Sequence, residues 1–231
     1  NADVAHELNT PLTTLISSCE LALRKPRSEA ELREVLASNL EDLRRMAGIV
    51  ADMLFLSQAD RGQGARLAPL ASLAALAHEV IDFHEAALQE ADLQVTVQGD
   101  AAAEVDARLL RRALSNLLGN ATRYAQRGST ITVQIGSRPC AHHGGAGDVA
   151  CSLLNQGPAI DPAHLPRLFD RFYRADAARS QADRNHGLGL AIVAAIARMH
   201  GGRCFAESEG GFTRIGLELP DSPSPPRDSP A

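Results

Sequence analysis

Apolar residues recur at steps of three and four through the first part of the chain. Leu8, Leu12, Leu15, Ile16, Cys19 and Leu23 form one stripe, and Leu32, Val35, Leu36, Leu40, Leu43, Met46, Val50, Met53 and Leu54 a second. Each stripe marks one face of a helix. Pro26 separates them, because proline lacks an N–H and disfavours helix at the residue before it. Ser28, with Glu31 three residues on, predicts a capping box opening the second helix. Pro11 falls inside the first helix and predicts a kink there. Two long amphipathic helices joined by a short turn make a hairpin. Stripes this extensive cannot be covered within one copy, so the pattern predicts a homodimer built on a four-helix bundle.

The periodicity changes after the glycine-rich stretch Arg61–Ala65, which reads as a linker. A helix is predicted over 70–91, a strand over 93–99, a short extended piece near Val105 and a strong helix over 108–125. Strands are predicted at 130–136 and 149–154, with a loop rich in Gly and His between them. An irregular segment punctuated by Pro158, Pro162 and Pro166 leads to a helix over 188–200 and a closing hairpin, 203–207 with 213–219. Strands separated by helices, with antiparallel strands at the end, predict an α/β sandwich with helices on one face of a mixed sheet. The whole is α+β: a hairpin over 1–60, a linker over 61–69, a sandwich domain over 70–220 and a disordered proline-rich tail over 221–231.

Composition removes several function classes. The 231 residues carry a net charge of −5 without a basic block, which argues against direct nucleic-acid binding. Cys19, Cys140, Cys151 and Cys204 are scattered without a CxxC pair and read as reduced thiols. His142 and His143 near Cys140 read as part of a hairpin loop in preference to a metal site. No apolar run reaches the roughly 20 residues a bilayer crossing needs. Helical patterning begins at once from Asn1, so the chain reads as the cytoplasmic portion of a longer protein, with any membrane contact made through a preceding region.

Four segments carry candidate chemistry. His6 and Glu7 lie on the first helix, with Thr10 one turn further on the same face. A neutral imidazole offers one ring nitrogen as nucleophile. An adjacent carboxylate can hold the other nitrogen protonated, and a hydroxyl can place a water beside a phosphoryl group. An isolated His-Glu pair is also an ordinary surface feature. On the 108–125 helix, Asn116, Asn120, Arg123 and Tyr124 share a face. Carboxamide oxygens suit magnesium, Arg pairs with phosphate, and Tyr offers a flat surface to a base. A polar helix face is the plain alternative.

Asn155, Gly157 and Ile160 follow a strand, where a polar side chain could read a base edge while glycine lets the backbone approach the ring. Gly187, Leu188, Gly189 and Leu190 open a helix whose first N–H groups can meet phosphates, or simply pack tightly on a sheet. Between them, the aromatic cluster of residues 168–174 predicts a core anchor, with Arg174 placed to face phosphate. The sparse stretch 175–186 reads as a mobile lid.

In order, HELNTPLT, RRALSNLLGNATRYA, NQGPAI, LFDRFYR, NHGLGLAIV and EGGFTRIGLELP resemble the phospho-acceptor, asparagine, first glycine, phenylalanine and two later glycine boxes of the sensor histidine kinases of two-component systems. The match spans residues 1–220, and its wording is most similar to the heavy-metal-sensing branch. The resemblance implies a dimeric hairpin followed by a sandwich of the histidine kinase, gyrase and Hsp90 type. It implies that His6 takes the γ-phosphoryl group of ATP, that Glu7 assists and that an Asp on a response regulator receives it. Thr10 would serve the reverse phosphatase activity. Asn120 would be the main Mg2+ ligand with Asn116 close by, and Arg123, Tyr124, Arg174 and Thr213 would border the nucleotide.

Three positions depart from that pattern. Asn9 stands for the usual Arg, Asn155 for an Asp that contacts the adenine amino group, and Asn185 for the first Gly of a later glycine box. They leave open a non-catalytic or phosphatase-biased dimeric relative with weak nucleotide binding. A conformational ATPase of the gyrase, Hsp90 or MutL group would need a Glu four residues before the metal-binding Asn; Asn116 occupies that place and cannot act as a general base.

Overall fold

The computed structural model describes the backbone of residues 2–138, 148–175 and 187–220, and the side chains of residues 8–136 and of the two later stretches. The chain divides into two compact units, Asn1–Ser57 and Gln58–Ala231.

The first unit is the helical hairpin. Helix α1 (Ala2–Leu23) is continuous through Pro11, and α2 (Glu29–Asp60) runs six residues beyond Leu54, the last apolar position of its stripe. The capping box forms at its start: the Ser28 backbone N–H donates to Glu31 Oε2 at 2.8 Å, and the Glu31 N–H donates to Ser28 Oγ at 3.3 Å. Leu15, Asn39, Ile49 and Leu56 are buried, and Asn39 Nδ2 donates to Cys19 Sγ at 3.2 Å. A second row of apolar side chains, Leu12, Ile16, Leu36, Leu40, Leu43, Val50 and Leu54, remains exposed on the single chain.

The second unit begins with a short strand inside the expected linker, β1 (Ala68–Leu70), paired antiparallel with β3 (Ala103–Val105). The helix expected over 70–91 is broken. Ser72 caps α3 (Leu73–Phe83), accepting from Ala75 N, and the backbone leaves helical geometry at His84 before α4 (Glu85–Glu90). His84 Nε2 lies 2.7 Å from Ser115 Oγ, so the break is tied to the neighbouring helix.

Strands β2 (Gln94–Gln98), β4 (Thr130–Arg138), β5 (Asp148–Gln156), β6 (Arg203–Glu209) and β7 (Phe212–Leu219) form one sheet in the order β2-β4-β5-β7-β6. Only the β2–β4 pairing is parallel. Helices α5 (Ala107–Tyr124) and α6 (Gly189–Met199) pack with α3 against it. Alternate sheet residues turn inward: Ile131, Val133 and Ile135 on β4, Val149, Cys151 and Leu153 on β5, Ile215, Leu217 and Leu219 on β7. On β4 this period-two burial marks a sheet with one covered face, while β5 and β7, in the middle of the sheet, also bury successive residues. Among the described residues, no helix is long and apolar enough to cross a membrane.

Candidate functional site

Helix α5 is anchored at its start by Asp106, whose Oδ1 accepts from Arg108 N at 3.1 Å and Leu109 N at 3.2 Å. Leu110, Ala113, Leu114, Leu117, Leu118 and Ala121 bury one face of it. Another face therefore turns Asn116, Asn120, Arg123 and Tyr124 toward a cavity of about 330 Å3. Asn116 Nδ2 donates to Arg112 O one turn back at 2.9 Å, which leaves Oδ1 to face the start of α6. There a Cβ on Gly189 would stand 3.0 Å from that oxygen.

The approach to α6 is fixed by a close backbone contact. Gly187 has φ +68°, and a Cβ on it would lie 2.8 Å from the carbonyl carbon of Phe172. The Phe172 N–H donates to Gly187 O at 3.0 Å, and Phe172 itself holds φ +62°. A bulky residue in the left-handed region is strained, so the surrounding packing must hold it there. Among the described residues no side chain caps the first turn of α6, and its N–H groups stand beside the cavity at the positive end of the helix dipole.

Another part of the cavity wall is set by β5 and β7. Asn155 pairs in register with Thr213, and both side chains are buried while lining the space. Thr213 Oγ1 is 3.1 Å from Ser208 Oγ, which accepts from the Ile160 N–H at 3.0 Å. Ile160 and Ile215 add apolar wall.

Of the residues singled out from the sequence, Asn116, Asn120, Arg123, Tyr124, Asn155, Ile160, Arg174, Gly187, Gly189, Leu190 and Thr213 meet in this one cavity. Gly157 and Leu188 are not in its wall. Gly157 is needed for packing, since a Cβ there would be 2.3 Å from the Tyr124 carbonyl oxygen, and Leu188 points into the core. Thr10 is exposed on α1. His6 and Glu7 lie on the backbone of α1, but their side chains fall outside the described residues, as do Asn185, His186 and nearly all of the expected lid, the loop holding Cys140, His142 and His143, and the tail.

Sequence reading missed Asp161, His164, Leu168 and Tyr173 as wall residues. His164 Nδ1 and Tyr173 Oη are 2.5 Å apart, and the Arg167 guanidinium stacks 4.3 Å from the Tyr173 ring centroid. The aromatic cluster expected only to anchor the core thus also closes one side of the cavity. No sequence signal marked His164, a single histidine in a proline-punctuated segment. Among the described residues, no group of three or more His, Cys, Asp or Glu could hold a metal ion.

The arrangement suits an elongated anion with a flat, partly polar head. Its wall combines two arginines and an open helix start with a buried carboxamide and apolar side chains. Comparison with known proteins agrees. The family model "His Kinase A (phospho-acceptor) domain" matches residues 1–62, and "Histidine kinase-, DNA gyrase B-, and HSP90-like ATPase" matches residues 105–223. The chain is 44% identical over 221 residues to the sensor histidine kinase CusS of Escherichia coli K12, covering 95% of this chain and 45% of that one. It is 39% identical over 209 residues to the sensor protein IrlS of Burkholderia pseudomallei, covering 90% and 44%. The chain therefore spans less than half the length of these relatives.

Among solved structures, the histidine kinase AdeS of Acinetobacter baumannii superposes with a TM-score of 0.72 at 23% identity, covering 94% of this chain and 98% of that one. The histidine kinase ThkA, solved in complex with the response regulator protein TrrA, gives 0.73 at 22% identity, covering 96% and 61%. At these identities the likeness speaks for the fold.

Proposed function

Because this chain belongs to the sensor histidine kinases, with a phospho-acceptor hairpin ahead of an ATPase domain, we propose that it phosphorylates His6 from ATP bound in the cavity and passes the group to an Asp of a response regulator. The observation that carries the reading is the convergence of the α5 asparagines, two arginines and the open start of α6 on one cavity. A lone pair on His6 attacks the γ-phosphorus, the bond to the β,γ-bridging oxygen breaks, and ADP leaves. Glu7 holds the proton on the other ring nitrogen and supports the charge that develops there.

Arg123 and Arg174 attract the phosphates, and Tyr124 flanks the nucleotide. Mg2+, when bound, supplies charge neutralisation across the phosphates. Asn120, with Asn116 beside it, would hold the ion. The donor set fits: Asn116 ties its nitrogen to Arg112 O and so turns a hard oxygen toward the cavity. Thr10 serves the reverse, phosphatase reaction by placing a water near phosphohistidine. The exposed apolar row of the hairpin supports a homodimer. Heavy-metal sensing by the whole protein, as the branch resemblance suggests, is part of the same proposal.

The test is incubation of the chain with Mg2+ and γ-labelled ATP. The expected product is an acid-labile, base-stable label that His6→Gln abolishes while ATP binding persists. Label retained in His6→Gln would overturn the assignment of His6.

A further inference from the structure

We propose that His164 is a positioning residue for phosphoryl transfer: by holding the Tyr173 hydroxyl at the cavity wall, it keeps Arg174 and the start of α6 in place around the nucleotide. This role rests on the kinase reading of the cavity, and it falls to a histidine outside every motif of that reading.

A short turn is built around Tyr173. The Asp161 carbonyl accepts the His164 N–H at 2.8 Å, and the His164 carbonyl accepts the Arg167 N–H at 3.0 Å. His164 thus leads directly into the 3-10 turn Leu165–Arg167. In such a turn, side chains three residues apart stand one above the other, so His164 and Arg167 reach the same neighbour. His164 Nδ1 holds the Tyr173 hydroxyl, and the Arg167 guanidinium covers the Tyr173 ring while pairing with Asp170 at 3.6 Å. One tyrosine is gripped both at its hydroxyl and on its ring face. His164 and Tyr173 are half-buried, and both line the cavity.

What the grip secures is the chain on either side of Tyr173. Phe172 holds φ +62° and gives its N–H to Gly187 O, on the approach to α6. A bulky residue in that region stays there only where its surroundings over-determine it. Arg174, on the other side, borders the cavity with Gly187 and Gly189. Releasing the Tyr173 hydroxyl lets Phe172 relax, and the shift reaches Gly187 in one direction and Arg174 in the other. Asn116 and Asn120 are carried by α5, and Asn155 and Thr213 by paired strands, all outside this turn. Nucleotide binding therefore largely survives the loss of His164. Transfer slows, because a misplacement of about 1 Å at the reacting group is enough to cost rate.

The bond is separable from the bulk of the ring. Asparagine carries a polar atom on Cγ, where histidine carries Nδ1, and its carboxamide offers both a donor and an acceptor to a hydroxyl.

The test is single-turnover phosphorylation of the 231-residue chain at saturating Mg-ATP, with affinity for Mg-ADP read by calorimetry. His164→Ala is expected to slow phosphohistidine formation by about tenfold or more, while the affinity stays within about threefold. His164→Asn is expected to bring the rate back to within about threefold of the unaltered chain. Tyr173→Phe keeps the ring and removes the same bond, so it should match His164→Ala, and the double variant should be no slower than either alone. Where His164→Ala fails to fold, Tyr173→Phe carries the comparison. An unchanged rate in either single variant overturns the role, as does a rate that His164→Asn leaves low. Affinity that falls as far as the rate, or losses that multiply in the double variant, overturn it too. An unaltered chain that binds Mg-ADP but forms no phosphohistidine overturns the kinase reading, and this role with it, and leaves the nucleotide site standing.

Discussion

Asn116 Oδ1 and the α-carbon of Gly189 face each other so closely that a Cβ on residue 189 would lie 3.0 Å from that oxygen. A contact this tight forces the asparagine or the helix start to give way. Gly189→Ala is therefore expected to weaken Mg-ATP binding by about tenfold, through displaced ligands and not through loss of fold. Alanine in a helix is favoured over glycine by about 0.5–1 kcal/mol, so a melting temperature that holds or rises while affinity falls separates the two effects. Unchanged affinity by calorimetry would show that α6 shifts without cost.

The start of α5 is tied to the end of α6 through His200. Its Nε2 accepts from the Asp106 N–H at 3.0 Å, and its Nδ1 donates to Ile196 O at 2.7 Å. Both ring nitrogens are committed in the core, across 94 residues of sequence. His200→Phe keeps the ring but leaves the Asp106 amide unmatched, at an expected loss of about 1–3 kcal/mol in urea unfolding. A loss below about 0.5 kcal/mol would mean that water or a local shift replaces the acceptor.

Much of this was legible in the sequence, and the losses have identifiable causes. The hairpin and α5 were clear because their apolar stripes are long and regular, and Ser28 and Glu31 announce their own cap. Strand β1 was not, because Ala68–Leu70 has no alternation and forms only by pairing with β3. The helix expected over 70–91 failed at His84, where the side chain is drawn to Ser115 instead of continuing an apolar face. At the site, residues on motif elements converged as their spacing suggests. Gly157 and Leu188 did not, because a motif glycine or leucine can serve packing as readily as a ligand. His164 and Tyr173 meet the cavity only through the path of an irregular segment, which no periodicity describes.

Asp106 links the fold to pH. Burial alone would raise its carboxyl, but the N–H groups of Leu109, Arg66 and Arg108, with the charge of Arg108, outweigh that and hold it below the usual carboxylate range. A lowered folded value stabilises the fold above the unfolded value of about 3.9, and that contribution is lost as pH falls through the folded value. Asp106→Asn is expected to reduce the drop in stability between pH 7 and pH 3, measured by urea unfolding at each pH. An equal drop in the variant would assign the acid sensitivity elsewhere.

Cys151 and Cys204, the described thiols of the second unit, should be chemically silent. Burial pushes the Cys151 thiol up to about 12, and burial does the same for Cys204 to about 12 against the opposing charge of Arg198. At pH 8 such a thiol is thiolate in only about one molecule in ten thousand, and the thiolate is the reactive form. Iodoacetamide at pH 8 is expected to leave both unmodified in the native chain and to label both once urea unfolds it, as read by peptide mass spectrometry. Native labelling at either position would reveal a local opening of the sheet.

The exposed row on the hairpin predicts how the chain assembles. Leu36 is 66% exposed, Leu43 53% and Leu54 61%, and they share a helix with the buried Ile49 and Leu56. Covering one leucine side chain is worth about 2 kcal/mol, so a row of them supplies more than enough to hold two hairpins together. Replacing Leu36 and Leu43 with Glu would put charges into that covered face and should convert a dimer to monomer in sedimentation velocity. Nucleotide binding should persist, because neither residue belongs to the unit that holds the cavity. A dimer that survives both substitutions would place the interface on another surface.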